Sequence, residues 1–281
     1  MIRQWLSPAK INIFLSITGR RLDGYHYIQT LFQFLNYSDV LTIITTYNGR
    51  IRFLNKNINI NEKDNLIIKA ARLLQKYYWN INSSNVLGAN IKIKKIIPIG
   101  SGLGGGSSNA ATTLLALNRH WNCKIDIDSL ANLGLMLGAD VPVFIYGKSA
   151  FAQGIGDKLT FINLQENWYL IAIPPISINT KIIFNDPKLK RNSKKRSLSC
   201  ILNEPFYNDC EETVIKRFFI IKKYLMCLLK YAPFRLTGTG ACMFAEFNSI
   251  FHANKIKKKI PKWINVILVK GSNISPLHKK L

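Results

Sequence analysis

The sequence predicts an α+β fold, and three observations carry that prediction. Strand and helix candidates interleave along 281 residues without the even spacing of repeated βαβ units. Residues 90–97 alternate isoleucine with lysine, the pattern of a half-exposed antiparallel strand and not of a parallel one buried on both faces. A glycine-rich run from Pro98 to Gly106 leads straight into a segment with helical periodicity.

The elements follow in order. Alternation over 9–18 predicts a first strand, with Lys10, Asn12 and Phe14 on one face and Ala9, Ile11, Ile13 and Leu15 on the other. After the Asp23-Gly24 turn, a return strand is expected through 30–34. Residues 40–46 and 51–54 read as further strands, joined at Asn48-Gly49, a dipeptide suited to the positive φ of a hairpin turn. Residues 64–74 predict an amphipathic helix with an acidic start at Asp64. Behind the glycine run, Ala110, Leu114, Leu117 and Trp121 mark a helix, and Ser107, Ser108 and Asn109 stand where its N-cap is expected. Residues 129–137 predict another helix, closed by Gly138, and 144–152 a strand. A second lobe is expected from about Asn163, opened by an apolar strand over 168–173 that stops at Pro174-Pro175. Residues 211–231 read as one long helix, and 242–246 and 265–269 as the last strands. The expected division is 1–162 and 163–281.

Lysine and arginine outnumber aspartate and glutamate by 39 to 15, a net charge of +24. Such a balance raises nucleic acid and anionic membranes as partners. Lysine, isoleucine and asparagine are over-used along the whole chain, however, and the two dense basic runs, 188–196 and 255–259, read as a solvated loop and the polar face of a helix. Neither nucleic acid nor membrane is therefore expected as a partner, although a basic field does draw in phosphorylated ligands. There is no stretch of 18 apolar residues and no leader pattern, so a cytoplasmic location is expected. Five scattered cysteines without metal-ligand spacing read as reduced, buried thiols.

The run Pro98-Ile99-Gly100-Ser101-Gly102-Leu103-Gly104-Gly105-Gly106-Ser107-Ser108 carries the chemistry. Its glycines remove the Cβ atoms that would hold a ligand off the backbone, and a helix N-terminus adds unpaired N–H groups and a positive dipole end, so the segment predicts a phosphate site. The Walker pattern is excluded, because no lysine follows the glycines. Gly100, Gly102 and Gly105 spell a dinucleotide fingerprint, but the strand before them alternates and no acidic residue closes a second apolar strand.

This motif resembles the central ATP-binding motif of the small-molecule kinases named after galactokinase, homoserine kinase, mevalonate kinase and phosphomevalonate kinase. Ser7-Pro8-Ala9-Lys10-Ile11-Asn12-Ile13-Phe14-Leu15, followed by Arg21-Leu22-Asp23-Gly24-Tyr25-His26, resembles the branch of that family acting on 4-diphosphocytidyl-2-C-methyl-D-erythritol. Residues 236–245, Leu-Thr-Gly-Thr-Gly-Ala-Cys-Met-Phe-Ala, resemble the family's third motif. The likeness runs from about Trp5 to Leu277. It implies a two-lobed α+β kinase with its active site in the cleft between lobes. The implied activity is ATP-dependent phosphorylation of the 2-hydroxyl of that cytidine diphosphate substrate in the non-mevalonate route to isoprenoids. Homoserine or a mevalonate derivative is the rival acceptor, and Arg21 to His26 with Phe184 argue against it.

The resemblance also assigns residues. Asp140, which by itself reads as a turn former in Asp-x-Pro, becomes the general base toward the substrate hydroxyl, and Lys10 its partner. An ammonium there can polarise the oxygen being deprotonated. Pro98 to Ser108, Asn65, Lys95, Gly238, Thr239 and Gly240 are expected around the nucleotide. Asn12, Tyr25, His26, Thr180 and Phe184 are expected around the acceptor, with Tyr25 and Phe184 as faces for a flat base. Ser101 stands where close relatives often carry glycine. Mg²⁺ is expected to arrive with ATP, bridging phosphate oxygens, with Ser107 or Ser108 in reach and no dedicated metal cluster. A monomer or weak homodimer is expected.

Overall fold

The first two strands are much longer than alternation alone suggests. In the computed structural model, which describes residues 2–55, 64–81 and 87–281, β1 (Ile2–Arg20) and β2 (His26–Thr46) form one antiparallel hairpin. The gap expected between 34 and 40 closes because Ser7 and Pro8 of β1 keep pairing with Asp39 and Ser38. Register shifts fall between Pro8 and Lys10, Asn12 and Phe14, and Ile17 and Gly19. An extra residue at such a bulge swaps the faces beyond it. Phe14 accordingly joins Ile11 and Ile13 in one apolar cluster, and only Lys10 and Asn12 share the face predicted for all three.

β3 (Ile51–Phe53), α1 (Leu66–Ile81), β4 (Gly88–Lys94), α2 (Gly105–His120), α3 (Ile127–Leu135), α4 (Val141–Tyr146), β5 (Ala150–Gln153) and β6 (Lys158–Phe161) complete the first half. β7 (Trp168–Ala172), α5 (Thr180–Phe184), α6 (Leu198–Asn203), α7 (Glu211–Arg217), α8 (Phe219–Leu228), β8 (Arg235–Leu236), β9 (Met243–Phe247), α9 (Ile250–Lys259) and β10 (Val266–Ser272) follow. The α+β expectation holds: apart from the parallel pair β3 and β4, the strands pair antiparallel. β4 shows the expected alternation, with Ile91 and Ile93 buried and Lys92 and Lys94 exposed.

Several elements differ from the sequence reading. Residues 144–146 are helical, not extended, because Pro142 presets the first turn of α4 and Gly147 closes it at φ 65°. The strand keeps only Ala150–Gln153. The single helix over 211–231 is two, broken at Phe218, whose backbone is extended at φ −119°, ψ 96°. The acidic start at Asp64 is not used; Asn65 Oδ1 accepts the N–H of Ile67 and α1 begins there. Cys210 and Cys242 are buried, whereas Cys123 and Cys227 are half-buried and Cys200 is exposed. Among the described residues, no helix is long and apolar enough to cross a membrane.

β10 pairs with both β2 and β7, so the strands join in the order β3-β4-β2-β10-β7-β9-β8. One core packs α1 to α4 on β1, β2, β4 and β5, around Phe34, Leu114 and Phe144. A second gathers Leu170, Val214, Ile221, Leu228 and Met243. A third, with Ile11, Phe14, Leu103, Tyr169 and Phe244, lies between them. Tertiary order therefore places the glycine run where the first and third cores meet.

The last residues fasten the C-terminus onto the first core. Leu277 is buried in it, and His278 donates from Nε2 to the carbonyl of Ile145 at 2.8 Å. Its Nδ1 is then unprotonated, buried and without a partner. Burial holds the His278 pKa below its usual 6.5, helped by Lys148 and opposed by the bond to Ile145. A depressed histidine pKa means that the unfolded chain binds the proton more readily. Its stabilisation is full above about pH 6.5 and is lost as pH falls through the lower folded value. His278→Gln, which can still donate to Ile145, is expected to flatten the fall in melting temperature between pH 7.5 and 5.5; a fall as steep as wild type would assign that pH dependence elsewhere.

Candidate active site

The glycine run is held from both sides by backbone. Gly100, Gly102 and Gly104 have φ of 63°, 77° and 73°, so each occupies the left-handed region. A Cβ on Gly102 would lie 2.2 Å from the carbonyl oxygen of Thr237, and one on Gly104 2.9 Å from Lys10 Cε. Two of these glycines thus permit close approach of neighbouring chain segments. Ala241 and Ile178 donate N–H to the carbonyl of Gly100, Cys242 to that of Ser101, and Lys10 to that of Leu103. The loop from 237 to 242, including the expected Gly238, Thr239 and Gly240, is therefore stitched directly to the glycine run.

α2 starts earlier than the hydroxyl residues suggested. Gly104 is its N-cap, without a side-chain capping bond, and Ser107 to Asn109 lie inside its first turns. The N–H groups of Gly105, Gly106 and Ser107 have no acceptor within the helix, by the geometry of any α-helix start. Ser108 is fully buried and accepts a hydrogen bond from Ser7, so Ser107 is the hydroxyl left accessible. Leu103 packs in the third core, whereas Ile99 is exposed and Pro98 half-buried.

Lys10 and Asp140, 130 positions apart, meet at 3.3 Å. Lys10 is buried on β1 and also donates to Asn12 Oδ1 at 2.6 Å. Asn12 in turn donates to Thr30 Oγ1 at 2.8 Å, Thr30 donates to the carbonyl of Phe14, and the Asn12 N–H reaches Thr237 Oγ1 at 2.9 Å. Each polar group on this buried face is thereby paired, which holds the ammonium in one place. Asp140 precedes α4 yet makes no capping bond to it, and its side chain remains one-third exposed. A carboxylate held beside a fixed ammonium, next to a glycine-lined helix start and open to solvent, can take a proton from an alcohol and leave the ammonium to stabilise the oxygen.

A second buried network was not legible in the sequence. Asp39 is fully buried on β2; its Oδ1 accepts the N–H groups of Ile96 and Ile97 at 2.6 and 2.8 Å. Its Oδ2 accepts from Lys95 Nζ at 2.6 Å and from Asn109 at 2.9 Å, and Asn109 also donates to Ser7. These bonds pull residues 95–97 out of the predicted strand and steer the chain into the glycine run. The Lys95 ammonium sits beside Gly105 at the start of α2, 3.1 Å from where a Cβ would be. Burial lowers the Lys95 pKa, against the opposing charge of Asp39. Asn65 is buried at the start of α1, whose Leu66 abuts Gly106. The sequence singles out Lys95 and Asn109, for the nucleotide and for the helix cap, but Asp39, which joins them, stands between two predicted strands with nothing to mark it.

Among the residues expected around the acceptor, the Arg21 to His26 motif closes a tight turn with Gly24 at φ 88° and an Arg21–Asp23 ion pair of 2.7 Å. Thr180 and Phe184 belong to α5, a short helix capped by Asn179. Thr180 Oγ1 lies 3.0 Å from Thr239 Oγ1, joining the acceptor residues to the 237–242 loop. The ring of Phe184 packs on His26, with centroids 5.0 Å apart and a tilt of 32°, while Tyr25 is 58% exposed. Burial, then Arg191 and Arg20, hold the His26 pKa below its usual value.

Residues 65–148 match the GHMP kinases N terminal domain. The chain is 53% identical over 277 residues, 99% of its length and 91% of the relative's, to 4-diphosphocytidyl-2-C-methyl-D-erythritol kinase of Wigglesworthia glossinidia brevipalpis. It superposes with a TM-score of 0.79 on a crystal structure of 4-(cytidine 5'-diphospho)-2C-methyl-D-erythritol kinase, at 28% identity, covering 97% of this chain and 99% of the other. Homoserine kinase from Cytophaga hutchinsonii shares the fold at a TM-score of 0.66 and 16% identity, covering 98% of this chain and 95% of that one. With three motifs joined by hydrogen bonds and identity of this extent along the chain, the protein belongs to the 4-diphosphocytidyl-2-C-methyl-D-erythritol kinases, within the GHMP kinases.

Proposed function

We propose that this chain transfers the terminal phosphoryl group of ATP to the 2-hydroxyl of 4-diphosphocytidyl-2-C-methyl-D-erythritol, a step in non-mevalonate isoprenoid synthesis, with Asp140 as general base and Lys10 beside it. The observation that carries the reading is the 3.3 Å contact of these two groups next to Gly104, at the mouth of α2. Phosphoryl transfer asks the protein mainly for positioning and charge stabilisation. The first-turn N–H groups of α2, with Lys95, supply positive potential for the phosphates. Asp140 accepts the hydroxyl proton, and Lys10, fixed by Asn12, stabilises the oxygen as it becomes the nucleophile.

Mg²⁺ fits the donor set only as a passenger of the nucleotide. Among the described residues there is no cluster of three or more His, Cys, Asp or Glu side chains to hold an ion. Ser107 is the accessible hydroxyl at the mouth of α2 in reach of it, and the ion would neutralise phosphate charge. The remaining nucleotide positions in the reading are Pro98 to Gly106, Asn65, Gly238, Thr239 and Gly240; Tyr25, His26, Thr180 and Phe184 serve the cytidine end. Lobes of 1–162 and 163–281, a cytoplasmic location and a monomer or weak homodimer without nucleic acid complete it.

A coupled ADP-release assay tests the reading, with the cytidyl substrate against homoserine and mevalonate. Turnover is expected with the first and at background with the others; turnover on homoserine or mevalonate alone would replace the acceptor.

A further inference from the structure

The basic run 188–196 is a loop whose four lysines are exposed, as its composition suggests, but the residues between them are anchored. Leu189 and Ser193 are buried, Ser193 donates to Asp209, and Gln29 bonds both the N–H and the carbonyl of Arg196. Arg191 is the most heavily engaged member. Its Nε donates to His26 Nε2 at 3.0 Å, its Nη1 to the carbonyl of Leu189 at 3.1 Å, and its Nη2 to the carbonyls of Phe184 and Asp186 at 2.9 and 2.6 Å. One guanidinium thus grips the end of α5 and the imidazole on β2 that packs against it. No motif had singled it out.

The bond to His26 has a chemical consequence. Arginine has donors only and keeps its proton, so His26 Nε2 must accept, and the imidazole proton is confined to Nδ1. His26 Nδ1 has no hydrogen-bond partner among the described residues. An unoccupied N–H donor on a ring fixed against Phe184 discriminates among bases. It pairs with a pyrimidine whose ring nitrogen is an acceptor, as in cytosine, and opposes one whose ring nitrogen carries hydrogen, as in uracil.

We propose that Arg191 is a positioning residue that sets base specificity by locking His26 as an Nδ1–H donor, an inference that rests on the cytidine end of the substrate lying against His26 and Phe184. Burial, then the positive charges of Arg191 and Arg20, lower the His26 pKa and so favour the neutral ring. Neutrality is required, since an imidazolium has no acceptor left for Arg191.

Arg191→Lys keeps the charge and loses the planar fork. In ¹⁵N spectra of the ligand-free protein, wild-type His26 is expected as the pure Nδ1–H tautomer and the variant as a mixture titrating at higher pH. For the cytidyl substrate, KM is expected to rise about tenfold or more, with kcat and the KM for ATP within about twofold. Preference for cytidine over uridine diphosphate in competition binding is expected to fall by a similar factor. Arg217→Gln, which breaks the 3.0 Å pair with Asp186 in the same turn without touching His26, is expected to change neither KM nor tautomer. An unchanged tautomer in Arg191→Lys, or an equal KM increase in Arg217→Gln, would overturn the proposal. If wild type shows the Nδ1–H tautomer yet does not bind cytidine diphosphate, the substrate reading fails and not the lock.

Discussion

Asp140→Asn is expected to lower kcat by roughly 10²–10⁴-fold, the range removed with a general base, while ATP binding stays within a few-fold of wild type. The asparagine is nearly isosteric but cannot accept the proton. Little else should change, because Asp140 makes no capping bond to α4 and Lys10 keeps Asn12 Oδ1 at 2.6 Å. Turnover by coupled ADP release, with nucleotide affinity by calorimetry, separates the two effects. Near-normal kcat would remove Asp140 from the chemistry; a loss of ATP affinity as large as the loss of turnover would make it a nucleotide ligand instead.

Asp39→Ala should produce the largest loss of stability, about 3–5 kcal/mol by the cost of breaking a buried ion pair. Four donors lose their acceptor at once: the Lys95 ammonium, the Asn109 amide and the N–H groups of Ile96 and Ile97. The last three do not move readily, since Asn109 is fixed within α2 and residues 96 and 97 lead into the glycine run. A domain has only about 5–15 kcal/mol in hand, so the variant is expected to unfold at much lower urea. A loss below about 1 kcal/mol would mean that the donors find other partners. The same variant frees Lys95 at the start of α2, so weaker ATP binding should accompany the lost stability.

Legibility followed the range of the interactions. The alternation of Ile91, Lys92, Ile93 and Lys94 identified an antiparallel half-exposed strand because period two is local. The helix after the glycine run was likewise visible in Leu114 and Leu117. Its start was misread by several residues, since serine and asparagine are good caps in isolation, yet here Ser108 is drawn inward by Ser7, 101 positions away, and Asn109 by Asp39, 70 positions away. Phe218 breaks a helix that carries neither proline nor glycine at that point, and no local pattern marks it. Within the exposed basic run, the anchoring of Arg191 and Arg196 was not visible, because charge density says nothing about which carbonyls and rings lie nearby.

The chain by itself determined the kind of chemistry: glycines before a helix for phosphate, a lysine on an apolar strand, a carboxylate after a helix, and the α+β pattern that carries them. Only the tertiary structure decided that Lys10 and Asp140 stand 3.3 Å apart, that Asp39 organises the turn into the glycine run, and that Arg191 dictates which nitrogen of His26 holds the proton. The physical reason is that periodicity and turn chemistry act over a few residues and are written in sequence neighbours. Hydrogen bonds between buried polar groups depend on which strands and helices come together, and that is settled when the three cores close.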